Sequence, residues 1–366
     1  MSVNNPFFEI SLLPYQAPRF DAINDSHYRP AFDEAMRLKR ADIDAIIAQR
    51  AAPDFDNTVL ALEKSGAMLS RVSSVFFAMT SAHTNDDLQA LDEQFSTELA
   101  GLANDIWLND TLFARVEAVW QDREALDAES RRLTEEMYQH FVLAGARLNA
   151  DEKAELKALN TEAATLTSQF NQRLLAANKA GGLVVDDVHQ LDGLSAEEVA
   201  AAAHAAAEKG LTDRWLIPLL NTTQQPALAA LSLRETRKKL FSAGWERTQK
   251  GDENDTRELI RRLTGLRARQ AQLLGFDNYA SWSIADQMAK TPEAALEFMR
   301  GIVPAARGRA ALEQADIQKV IDDEQGGFTV QAWDWAFYAE RVRSAKYALD
   351  ESQIKPYFAL NTVLED

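Results

Sequence analysis

No proline occurs between Pro53 and Pro218. A proline inside a helix removes one backbone hydrogen bond and clashes with the preceding turn, so this long interval is open to uninterrupted helices. The apolar spacing fills it with them. Leu88, Leu91, Phe95, Leu99, Leu102 and Ile106 step by three and four and form one helical stripe. Leu62, Leu69, Val72, Phe76 and Met79 repeat the pattern one helix earlier. The clearest helix is Asn149 to Asn178. Asn149 is its N-cap, Glu152 completes a capping box, and Leu156, Leu159, Ala163, Leu166, Phe170 and Leu174 make its stripe. Gly181-Gly182 ends it.

On either side the texture changes. Residues 1–28 carry Pro6, Pro14 and Pro18 and predict an extended arm laid over the body. Leu183-Val184-Val185 and Trp215 to Leu220 predict short strands around an alanine-rich helix from Ser195 to Lys209, with Pro218 placing the second strand at an edge. Pro226 marks a boundary. Helices resume over Leu231–Trp245 and Thr256–Leu274, and Thr291-Pro292 opens another that Pro304 is expected to kink or divide. The expected fold is all-α, multi-helix, with a small β excursion near 183–220.

Composition narrows the function. A formal charge of −17 argues against a nucleic-acid binder, which needs a basic footprint, and against adhesion to anionic membranes. The chain has no cysteine, which excludes disulfides, thiolate metal sites and cysteine catalysis. The first twenty residues lack the basic, apolar and small-residue segments of a secretory signal, and no run approaches the roughly 18 apolar residues of a membrane span. A cytoplasmic location is the expectation.

Candidate chemistry is sparse. The five histidines, His27, His83, His140, His189 and His204, are too far apart in sequence for two to share a helical metal motif. Glu136 with His140, and His204 with Glu208, stand one helical turn apart, a spacing that more often makes solvated surface pairs than metal sites. No Gly-x-Ser-x-Gly elbow and no glycine-rich phosphate loop occurs; Gly181-Gly182 and Gly326-Gly327 are turn signals. The basic run Arg257, Arg261, Arg262, Arg267 and Arg269 could grip a carboxylate. The favoured reading is a solvated helix face with Glu258 and Arg262 paired across one turn.

The last stretch, Trp333 to Asp366, is aromatic-rich and helical at its start. Trp333, Phe337 and Arg341 share a face, and the Trp333/Phe337/Tyr338 cluster is read as packing rather than a ligand box. Asp350 with Gln353 predicts a capped turn ended by Pro356, and Asn361 predicts the N-cap of a further helix. That helix has roughly one turn of sequence to grow in, so the end is expected to be a cut rather than a finished element.

Several of these segments carry a family resemblance. Trp333-Asp334-Trp335 with Tyr338, Leu349-Asp350-Glu351 and Lys355-Pro356-Tyr357-Phe358 resemble the segment preceding the catalytic core of the thimet oligopeptidase/neurolysin family of zinc metallopeptidases. Asn160 to Asn178 and Asp286 to Met299 resemble the family's bacterial dipeptidyl carboxypeptidase (peptidyl-dipeptidase) branch. The resemblance runs from Pro6 to the end but covers only the front half of the family's length. It implies residues 1–225 as a helical region walling a substrate channel, and 226–366 as the start of the peptidase domain, ending before its zinc helix. It further implies zinc-dependent release of C-terminal dipeptides from oligopeptides. That chemistry needs His-Glu-x-x-His, whose imidazoles hold zinc while the glutamate activates water, and this sequence lacks the motif. Hence no catalytic, cofactor-binding or metal residue is assigned. Zinc is not expected to bind this chain alone, and the chain is expected to be inactive by itself. The implied partners are oligopeptides and a C-terminal catalytic half. The alternative is a non-catalytic helical peptide-binding or scaffold protein.

Overall fold

The computed structural model describes residues 5–347 and 354–365. Helices dominate, and among the described residues two short strands form the only sheet. The chain divides into two compact units, Met1–Gln172 with Glu258–Ala294, and Arg173–Arg257 with Ala295–Asp366.

The first unit holds α1 (Tyr28–Ile47), α2 (Ala61–Lys64), α3 (Ala67–Ala82), α4 (Asp86–Trp107), α5 (Asp110–Gln121), α6 (Ala128–Ala144) and most of α7 (Ala150–Ala180). The apolar stripe of α4 is where its spacing places it: Leu88, Phe95, Leu102 and Ile106 are buried, with Leu91 and Leu99 packed against them. Phe95 stacks on Phe32 of α1 at 3.9 Å, and Phe76 of α3 meets both rings edge-on at 5.1 and 5.4 Å. Edge and offset geometries of this kind suit the ring quadrupoles. The stripe from Leu62 to Met79 is real but broken. Gly66 adopts φ +76° and divides α2 from α3, and a Cβ there would meet the Lys39 Cδ at 2.6 Å.

The N-terminal arm is less extended than its prolines suggest. It forms three 3-10 turns, Pro6–Phe8, Pro14–Gln16 and Asp25–His27. Phe7 is buried in the core, and the Asn5 amide donates to the His27 carbonyl at 2.8 Å. Leu12 and Tyr15 are fully exposed.

Helix α7 runs 31 residues, about 45 Å. Its capping box forms as expected, Glu152 N–H donating to Asn149 Oδ1 and Asn149 N–H to the Glu152 carboxylate, both at 3.0 Å. Its expected apolar stripe is not its buried face. Only Leu156 of that set is buried; Leu159, Ala163, Leu166, Phe170 and Leu174 are half-buried. Polar rungs join α7 to α4 instead: Asn160 to Asn104 at 2.7 Å, Ser168 to Asp92 at 3.0 Å, and Gln172 to the Gln89 carbonyl at 3.0 Å.

Helices α8 (Ala196–Glu208), α9 (Asn221–Ala230) and α10 (Arg234–Trp245) belong to the second unit. Strands β1 (Gly182–Val185) and β2 (Trp215–Pro218) pair antiparallel there, with Gly182 opposite Pro218 and Val185 opposite Trp215. In a two-stranded sheet each strand is an edge, which accommodates Pro218. Pro226 is no boundary between elements; it lies inside α9.

Next come α11 (Arg257–Leu273) and α12 (Tyr279–Ser283) in the first unit, then α13 (Pro292–Asp323). Pro304 does not divide α13, which is a single helix of 32 residues. Helix α14 (Ala332–Tyr347) packs Phe337 and Tyr338 on Ile317 and Ile321 of α13. A last helix, α15 (Leu360–Glu365), starts before Asn361, so Asn361 is inside it rather than its cap. The Asp350–Gln353 cap lies outside the described residues.

Candidate functional site

The arginine run lies at the start of and along α11, and most of it is neutralised locally. Arg257 pairs with Asp255 at 2.5 Å and Arg261 with Glu258 at 2.5 Å. Arg262 does not take Glu258 one turn back; it reaches across to Glu162 on α7 at 2.5 Å, and Arg269 likewise takes Glu155 at 2.6 Å. Both latter pairs are bidentate, the geometry in which guanidinium is most selective. All four carboxyls titrate below their ordinary range because these arginines hydrogen-bond to them; Asp255, which also accepts the backbone N–H of Arg257 and of Gly251, falls furthest.

Arg267 is the exception. Among the described residues it has no carboxylate partner; its guanidinium lies 5.0 Å from the Tyr279 ring centre. It is half-buried at the edge of a cleft of about 460 Å³ between α4, α7 and α11. Asp92, Ser96, Thr167, Asn171 and Gln270 supply polar groups to that cleft, with Phe77, Tyr279 and Trp282 as its aromatic walls. The aromatic wall is fixed: Trp282 Nε1 donates to the Leu143 carbonyl at 2.9 Å, and the Tyr279 and Trp282 rings meet edge-on at 5.5 Å. Asp92 is raised above the ordinary carboxyl range, chiefly by burial, with Glu93 adding to the effect and the Ser168 hydroxyl opposing it. A cleft with one uncommitted guanidinium, amide groups and aromatic walls suits a short peptide bearing a carboxylate. Sequence reading singled out Arg267 as one of five. Asp92, Asn171 and Tyr279 gave no signal, because they come from separate helices.

The histidines are dispersed. His27 is buried, its Nδ1 accepting the Asn24 backbone N–H at 3.1 Å in a capping box. His83 closes α3. His140 packs on the Trp107 ring at 4.1 Å; burial lowers its pKa, and Asp286 partly opposes that. Its helical neighbour Glu136 pairs with Arg132 instead. His189 and His204 are exposed, 3.7 Å from Asp192 and 3.6 Å from Glu208 respectively. A zinc centre needs three protein ligands converging on one point. Among the described residues no such group of three occurs.

The aromatic cluster of α14 is packing, as its spacing suggests. Phe337 and Tyr338 are buried, and Arg237 lies over the Phe337 ring at 4.1 Å. Beneath them is a feature that sequence reading missed. Asp334 is fully buried, takes Arg234 at 2.8 Å and Arg237 at 3.2 Å, and accepts the Gln331 backbone N–H at 3.1 Å. Burial acts to raise the Asp334 pKa, but these hydrogen bonds outweigh it and hold the carboxyl below its ordinary value. The partners lie about a hundred residues apart in sequence, and no local pattern reports such a pair.

The segment that carries this node also carries the family signal. Residues 227–365 match the model of Peptidase family M3. Over 99% of its length the chain is 68% identical to the dipeptidyl carboxypeptidase of Salmonella typhimurium, covering 54% of that protein. It is 67% identical to the Escherichia coli dipeptidyl carboxypeptidase over its full length, again covering 54%. Oligopeptidase A of Escherichia coli is 26% identical over 96% of the chain and is covered to 52%. The chain therefore spans about half the length of the curated relatives it matches, and the resemblance seen in its segments extends along all of it. No helix among the described residues is long and apolar enough to cross a membrane.

Proposed function

We propose that this chain is the peptide-handling portion of a zinc-dependent peptidase that releases C-terminal dipeptides from oligopeptides in the cytoplasm. The observation that carries this reading is the identity of 68% to a dipeptidyl carboxypeptidase across nearly the whole chain. Residues up to about 225 contribute the wall of a substrate channel, and those from about 226 lead into the segment that bears the metal. The Arg267 cleft is the part best suited to peptide. Its guanidinium can meet a carboxylate, Asn171 can pair with a peptide group, and Tyr279 can cover an apolar side chain.

The chain's own residues supply binding and orientation. With no His-Glu-x-x-His in the sequence, activation of water falls to another stretch of polypeptide. Rigorously purified chain should not cleave blocked tripeptides or tetrapeptides, with or without added zinc. Co-expressed with the part of the Salmonella typhimurium relative that the match leaves out, it should release C-terminal dipeptides in a chelator-sensitive way. Dipeptide release by the chain alone would overturn the reading and require a catalytic site within these residues; a complex with no hydrolysis would overturn it and leave a non-catalytic peptide-binding scaffold.

A further inference from the structure

Helix α13 is covered along one half and bare along the other. At 100° per residue, Leu296, Phe298, Met299, Ile302, Val303 and Ala306 fall within one arc of about 160°. Glu293, Glu297 and Arg300 lie on the opposite side. All six apolar residues are exposed, the five large ones between 41% and 72%. Together they present on the order of 500 Å² of apolar surface, the size of the largest patch a typical monomer exposes, and a patch of that size is often functional. The same arc continues down the helix through Ile317, Val320 and Ile321. There α14 covers it: Ile317 and Ile321 are buried against Phe337 and Tyr338. One stripe thus has a packed half and an unpartnered half.

We propose that the bare half of this stripe, Leu296 to Ala306, is the docking face for a helical, apolar-faced segment of the peptidase polypeptide that this chain does not span. The proposal rests on the functional reading above and names the surface through which the two portions join. Three observations select that occupant. The relatives are nearly twice as long as the stretch matched, so polypeptide of the right family is available to cover it. The stripe is continuous with one that a helix of the matched family segment already packs, so a second helix extends an existing mode of packing. The described apolar residues that follow α14, Tyr357, Phe358, Leu360, Val363 and Leu364, do not cover it in this structure and are themselves exposed. An anionic membrane is disfavoured by the charge of −17 and by Glu293 and Glu297 on the polar side.

The test uses the full chain, co-expressed with the portion of the Salmonella typhimurium relative outside the match. Amide exchange over residues 294–308 should slow at least tenfold in the complex. Ile302→Asp and Phe298→Asp should weaken association at least tenfold while leaving the melting temperature of the chain itself unchanged, and Glu297→Ala should change neither association nor melting temperature. A complex that regains hydrolysis with 294–308 unprotected and with Ile302→Asp still binding normally overturns the docking face and leaves the functional reading standing. Protection of 294–308 without hydrolysis keeps the docking face and sinks the functional reading. A wild-type chain that ignores the partner overturns the proposal, whether it is a monomer or a dimer that Ile302→Asp dissociates.

Discussion

Removing the charge of Asp334 tests the energetics of the second unit most directly. Asparagine at 334 keeps the shape and leaves Arg237, 1% exposed, and Arg234, 32% exposed, without their counter-charge. Breaking a buried pair by removing one member costs about 3–5 kcal/mol, because the remaining charge stays desolvated. For a unit of roughly 160 residues each kcal/mol moves the melting temperature by about 2–4 °C, so Asp334→Asn should lower it by roughly 6–20 °C. The matched control is Lys319→Ala, which opens an exposed one-turn pair with Asp323 and should cost less than about 0.5 kcal/mol. The pH dependence carries a sign. The folded carboxyl titrates below its ordinary value, so its stabilisation is fully present above about pH 4 and is lost as pH falls through the lower folded value. The gap between wild type and Asp334→Asn should therefore hold steady from pH 7 to about 5 and close in stronger acid. Thermal scans and urea titrations followed by tryptophan fluorescence measure both effects. An Asp334→Asn protein within about 0.5 kcal/mol of wild type would refute the argument, as would a gap that widens in acid.

Three further outcomes follow from named contacts. Leu156→Ala removes a side chain that is 1% exposed and should cost about 2–5 kcal/mol, while Phe170→Ala, half-buried on the same helix, should cost clearly less; equal losses in urea titration would mean the buried face of α7 is misassigned. Gly145 ends α6 at φ +102°, and a Cβ there would meet Leu156 Cδ2 at 2.8 Å and both Leu148 and Leu274 at 3.1 Å, so Gly145→Ala should cost at least about 1 kcal/mol; an unchanged melting temperature would count against it. In the reconstituted peptidase, Arg267→Ala should raise KM for oligopeptides several-fold with kcat little changed, the pattern of lost uniform binding, and an unaffected KM would remove the cleft from the peptide path.

The helices were legible wherever a single stripe decided their burial. Helix α4 is the example: its six apolar positions alone fix which face meets Phe32 and Phe76. Helix α7 misled because its partner is polar. Asn104, Asp92 and Gln89 on α4 meet Asn160, Ser168 and Gln172, and an apolar stripe on α7 says nothing of a neighbour that offers hydrogen bonds. Pro226 misled in the opposite direction. It sits inside α9, since a missing N–H is tolerable where packing over the rest of the element outweighs one lost bond.

The candidate site was legible in residue type but not in pairing. Five arginines on or beside one helix are visible in the sequence, and local charge arithmetic pairs Arg262 with Glu258. The fold instead offers Arg262 and Arg269 two carboxylates about two turns apart on α7, at bidentate geometry, and leaves Glu258 to Arg261. Those crossings distinguish Arg267. Once four of the five are neutralised, the guanidinium lying on Tyr279 beside Asn171 is the one of the run with no carboxylate partner among the described residues. The proposed docking face gave no such signal. The aromatic Trp333–Tyr338 stretch, read as packing, does pack, with Phe337 and Tyr338 buried on Ile317 and Ile321, whereas the plainer run from Leu296 to Ala306 is left bare. Which half of a stripe is covered depends on a helix that arrives from elsewhere in the chain, and no periodicity within α13 records its arrival.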